Sequence, residues 1–147
     1  MAKVVYKMQN ILDIKYKLES QAKTAYANAN AKLRQEEQIL VQIQDDINRY
    51  EEEIRQKSLN VIDIEELKWC ANAIQIKKMD AEQQKKKIDR AKKEVELARI
   101  KLNEVMIDRK THEKLKERAF DEFKQELSDT EAKEVDEIVS FNFNKSE

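Results

Sequence analysis

Glycine and proline are both absent from this 147-residue sequence. Tight turns and positive-φ positions call on those residues, so their absence predicts few turns and long uninterrupted helices. It also excludes chemistry, because Walker loops and dinucleotide-binding loops need glycine wherever backbone approaches phosphate. One cysteine (Cys70) and one histidine (His112) cannot build a zinc site or a disulfide framework within one chain. The many carboxylates read as solvated helix surface rather than catalytic pairs. No catalytic, cofactor-binding or metal-ligating residue is therefore assigned, and the expectation is a protein that is not an enzyme. No apolar run is long enough to span a bilayer, and the opening Met-Ala-Lys-Val-Val-Tyr-Lys lacks an apolar signal core. A cytoplasmic location is the default expectation. The 29 basic and 30 acidic residues leave a net charge of −1, without the basic excess expected of a nucleic-acid binder.

What is present is charge and helical period. Charged residues make up 40% of the chain, with few aromatics, a composition typical of long helices and coiled coils. The stretch Ser58 to Leu67 is the one interruption between two long helical patterns. Asp63 is placed to cap a new helix, Glu66 completes a capping-box spacing, and Ile62 with Leu67 occupies the hydrophobic-staple positions. Ser58 and Asn60 before it are weak helix formers. The expectation is a first helix over about 4–57, a corner over about 58–63, a second helix over about 64–139 and an irregular tail at 140–147.

In the first pattern, Met8, Ile11, Leu18 and Ala22 recur at coiled-coil spacing with Lys15 interrupting. A phase shift between Ala22 and Tyr26 predicts a stutter. A regular seam then follows through Tyr26, Ala29, Leu33, Glu36, Leu40, Ile43, Ile47, Tyr50 and Ile54. The second seam reads Leu67, Ala71, Ile74, Lys78, Ala81, Lys85, Ile88, Lys92, Val95, Arg99, Leu102 and Met106, with Ala91, Ala98 and Val105 as a neighbouring stripe. An antiparallel hairpin that faces Ile54 with Leu67 also faces Ile47 with Ile74 and Leu33 with Ile88. The same register sets Glu36 against Lys85, an acid–base pair expected to select the register. The fold class expected is thus all-α, an antiparallel coiled-coil hairpin. That register leaves residues from Arg118 to about Val139 as a C-terminal helical overhang of roughly 33 Å, at 1.5 Å per residue. Its face of Phe120, Phe123 and Leu127 is expected to dock on a partner. Near the corner, Trp69 and Ile76 fall at the outermost heptad position with Ala73 on the same stripe, a second candidate docking surface.

The segment Tyr6-Lys-Met-Gln-Asn-Ile-Leu-Asp-Ile-Lys-Tyr-Lys-Leu-Glu resembles the opening of the FliJ family of bacterial flagellar type III export. Asp108-Arg-Lys-Thr-His-Glu-Lys-Leu-Lys-Glu-Arg is similar to a later segment of that family, and Glu134-Val-Asp-Glu-Ile resembles its near-terminal signature. The resemblance implies a two-helix coiled coil like the central stalk of rotary ATPases. It implies three partners: the hexameric export ATPase, the cytoplasmic domain of the membrane export gate, and export chaperones. The chain would then associate peripherally with the inner face of the cell membrane, without insertion. The gate-contact segment of the family corresponds to about Trp69 to Met79, with Asn72 and Ala73 here in place of an aromatic residue. Two other readings compete. One is a general chaperone or scaffold, prefoldin-like or self-associating. The other is a nucleic-acid-binding arm built on Lys85-Lys86-Lys87.

Overall fold

The computed structural model describes residues 2–59 and 61–146, with side-chain surroundings through 144. Asn60, one of the weak helix formers of the corner, and Glu147 lie outside the described residues. Two helices account for the chain, α1 (Ala2–Ser58) and α2 (Ile64–Ser146), packed as an all-α helical hairpin with no strand among the described residues. The second helix continues past the expected end at Val139 through Ser146. The loss of apolar period at Ser140 does not end it, since no glycine or proline intervenes to break the helix.

The corner is set by local chemistry. The Ser58 hydroxyl donates to the Ile54 carbonyl at 2.6 Å, and the Leu59 amide reaches Gln56 O at 3.3 Å, tightening the last turn of α1. Arg55 and Lys57 sit in that turn, where cations suit the helix C-terminus. Asp63 is the N-cap of α2: its Oδ1 accepts the Glu65 amide at 3.0 Å, and its carbonyl accepts the Leu67 amide at 3.1 Å. Glu66 does not close the capping box. Its carboxylate lies 3.5 Å from Lys57 Nζ, joining the two helix ends instead.

Cα packing divides the chain into two units, Ala22–Leu102 and Met1–Gln21 with Asn103–Glu147. In the first, Cys70, Ile74, Ala81, Gln84, Ile88 and Ala91 are the buried positions of α2, with Lys77, Val95 and Ala98 half-buried. Half of the expected seam is right, through Ile74, Ala81, Ile88 and Val95. The alternate positions are Cys70, Lys77, Gln84, Ala91 and Ala98, each one residue before the expected Ala71, Lys78, Lys85, Lys92 and Arg99, which are exposed. The rotation replaces Lys78, Lys85, Lys92 and Arg99 by Lys77, Gln84, Ala91 and Ala98. One long cation, paired with Asp46, is left in these positions where four were expected, and charged groups are costly to desolvate. The register moves with it. Glu53 meets Cys70, Asp46 meets Lys77 and Lys57 meets Glu66, each two residues further along α2 than expected.

In the second unit the buried residues are Leu12 and Glu19 of α1 and Ala119 of α2. The expected Leu18 is 41% exposed, whereas Glu19 is only 5% exposed. Along α1 the buried and half-buried positions Leu12, Lys15, Glu19, Ala22, Tyr26, Ala29 and Leu33 alternate steps of three and four without a break. The expected stutter between Ala22 and Tyr26 is therefore absent. It arose from following apolar residues past a seam position that holds a paired glutamate. Ala119 and Phe123 pack within reach of the first turns of α1, so the fully exposed stretch begins at residue 124 rather than at Arg118.

Candidate partner-binding surfaces

The polar layer inside Met1–Gln21 with Asn103–Glu147 is built around Arg109. Its Nε and Nη2 donate to the two carboxylate oxygens of Glu19, at 2.7 and 3.2 Å, and its Nη1 donates to Glu113 at 3.0 Å. The Tyr16 hydroxyl donates to the other oxygen of Glu113, and the Arg109 guanidinium lies 5.6 Å from the Tyr16 ring centre. Lys15 reaches Asp108 at 2.7 Å, and Lys116 donates to Gln9. The electrostatics follow. The Tyr16 hydrogen bond, seconded by Arg109, holds the Glu113 carboxyl below its ordinary range, and Lys15 does the same for Asp108. Glu19 holds the Arg109 guanidinium firmly protonated, and the bond to Glu113 raises the Tyr16 hydroxyl. Sequence reasoning missed Leu12, Glu19, Arg109 and Ala119. Extending the regular seam backwards from Tyr26 lands on Ala22, Glu19, Lys15 and Leu12, and is the signal that finds the first two.

The expected register pair is replaced. Lys85 points outward and bonds Glu82 of its own helix at 3.1 Å. Glu36 instead receives Gln84, whose Nε2 donates to the Glu36 carboxylate at 2.5 Å and to its backbone carbonyl at 2.9 Å. Gln84 occupies the seam and Lys85 flanks it, for the reason of rotation given above.

The corner surface is apolar. Trp69 is 61% exposed and touches Tyr50 edge-to-face with ring centres 5.8 Å apart. Ile76 and Met79 are exposed and Ala73 is half-buried, while Leu59, Val61, Ile62 and Ile64 add further exposed apolar area around the turn. With the seam at Cys70, Ile74 and Lys77, Trp69 and Ile76 stand one place round from the outermost heptad position and still face outward. Ile62 of the expected staple is itself exposed.

The terminal candidates separate. Phe123 is half-buried and, with Phe120, lines a groove of about 660 Å³ shared by Val5, Tyr6, Leu12 and Tyr16. The Phe120 ring also carries Lys124 Nζ 4.6 Å from its centre. Leu127 is exposed, and so is every described residue from 124 to 144. Among the described residues no cluster of His, Cys, Asp and Glu could hold a metal ion, and no helix is long and apolar enough to cross a membrane.

Comparison with known proteins gives one result that spans the chain. The family model described as "Flagellar FliJ protein" matches residues 4–147. No curated protein and no solved structure matches.

Proposed function

This chain belongs to the FliJ family, and so is a coiled-coil protein related to flagellar export; on that premise we propose that it is a non-enzymatic link between the export ATPase ring and the membrane export gate. In this reading the C-terminal helix engages the ATPase hexamer through Leu127, with Phe120 and Phe123 at its root. Trp69, Ile76 and Met79, beside Ala73, engage the cytoplasmic domain of the gate. The chain works in the cytoplasm at the inner face of the membrane and assists chaperones in delivering export substrates.

The observation that carries this reading is the continuous helix 124–144, exposed on every side. A single helix in water draws little stability from propensity alone, so a helix of this length that stays exposed calls for a partner. Truncation after Phe123 should abolish binding to the purified export ATPase while the remaining hairpin keeps its helicity. Binding that survives truncation would remove the terminal helix from the ATPase contact.

A further inference from the structure

The residues that misled the seam assignment still need an explanation. Val4, Met8, Ile11 and Leu18 repeat at coiled-coil spacing, yet the seam that faces α2 runs through Val5, Leu12 and Glu19. Val4, Ile14 and Leu18 are exposed, with Met8 and Ile11 half-buried. The adjoining helical row holds Lys3, Lys7, Ile14 and Lys17. None of these three lysines has a salt bridge among the described residues. The first five turns of α1 thus carry two seams, and the hairpin uses one.

The same unit contains a matching surface. Between 124 and 139 the chain has six acidic residues and two lysines. None of those acids is in a salt bridge among the described residues, and Leu127, Val135, Ile138 and Val139 are exposed along the helix. Acidic self-pairing of two such helices is electrostatically opposed, whereas the lysine-bordered stripe of α1 is complementary in charge and in apolar spacing. The helix cannot serve its own chain. It is α-helical throughout, with no turn that would reverse it onto residues 4–18.

We propose that the second seam of α1 (Val4, Met8, Ile11 and Leu18, with Ile14 beside it) receives the acidic helix 124–139 of a second copy of this chain. The exchange is reciprocal. Ala2 and Phe123 line one groove, so the acidic helix departs where the second seam begins. A two-fold axis near that point lays each acidic helix parallel to the other copy's α1, with the same contacts made twice. Each terminal hairpin then gains a third helix. The inference goes beyond the export reading and concerns the chain free of the ATPase, since both readings engage the helix that carries Leu127.

The test is sedimentation equilibrium of the full chain across the micromolar range at low and high salt. The expected result is a dimer that weakens as salt rises. The triple variant K3E/K7E/K17E should weaken it about tenfold or more, as should E131K/E134K/E137K, with helicity unchanged in both. Mixing the two triple variants should give a heterodimer clearly more stable than either variant's own homodimer and close to the parent, because both of its contacts pair opposite charges, one as in the parent and one reversed. Combining all six changes in one chain should recover the dimer. A monomer throughout the range, or a dimer indifferent to both sets of reversals, overturns the proposal. Reversals on α1 that weaken the dimer without rescue by those on the acidic helix overturn the assigned occupant.

Discussion

Arg109 holds Glu19 through two parallel hydrogen bonds, from Nε at 2.7 Å and from Nη2 at 3.2 Å, and the glutamate side chain is 6% exposed. A fork-shaped donor meeting a carboxylate this way fixes both position and orientation. Glu113 occupies the remaining edge of the guanidinium, so one arginine ties two acids from different helices into one layer. Such a layer opposes slippage, because a shifted pairing would strand a carboxylate against apolar neighbours.

Removing one member should therefore be worse than removing both. Glu19→Leu alone and Arg109→Leu alone are each expected to lower the urea midpoint. The double variant Glu19→Leu/Arg109→Leu should recover much of the loss by replacing a charged layer with an apolar one. Equilibrium unfolding followed by helicity checks the order. A double variant less stable than both singles would show that the pair contributes net stability.

Acid should loosen the hairpin through carboxylates whose titration is held down by partners. Tyr16 lowers Glu113, Lys15 lowers Asp108 and Lys77 lowers Asp46. For a group depressed in the folded state, the stabilisation is present above its unfolded value, about 4 for these residues, and is lost as pH falls through the folded value. Stability should be flat from neutral pH down to about 5 and then decline. Lys15→Met should flatten part of the decline by releasing Asp108. Denaturant midpoints measured across the acid range for the parent and this variant test the assignment.

At the corner, Trp69→Ala with Ile76→Ala should cost at least ~2 kcal/mol in binding to the cytoplasmic domain of the export gate, the scale of an interface hot spot. The edge-to-face contact with Tyr50 means that folding is not untouched, and a loss of about 1 kcal/mol in stability is expected from the broken ring pair. Calorimetric binding alongside thermal unfolding separates the two. Full gate affinity in the double variant would move the docking surface off this stripe.

The local features of this chain were legible and the lateral ones less so. Asp63 could be assigned as a cap because capping depends on residues two to four positions away. The two-helix hairpin followed from a composition without glycine or proline. The rotation of α2 was missed because Cys70 and Ala71 are adjacent small residues beside the corner, and phasing from Ala71 carried Lys78, Lys85, Lys92 and Arg99 into the seam in place of Lys77, Gln84, Ala91 and Ala98. Glu19 was missed because its burial depends on Arg109, ninety residues away in sequence. Of the site residues, Trp69, Ile76, Met79 and Leu127 were found on exposed faces, as exposure follows from seam phase to within one residue. Phe123 and the Glu36–Lys85 pair were misjudged, as they depend on register, which a two-residue shift changes entirely.

The Asp63 cap also bears on how the hairpin assembles. Between Ala22 and Leu102, the pair nearest the corner, Lys57 with Glu66, closes a loop of only a few residues, while Glu53 with Cys70 spans 17 and Glu36 with Gln84 spans 48. Closing the 48-residue loop directly from a disordered chain is entropically costlier than extending an already formed turn by one layer. Contacts in this unit are therefore cheapest to make in order of distance from the turn, as in a zipper. Amides beside Cys70, the one fully buried side chain among the described residues, should exchange with solvent more slowly than those beside Leu33. A lesion at Asp63 would then be felt first as slower closure, with the finished interface largely intact.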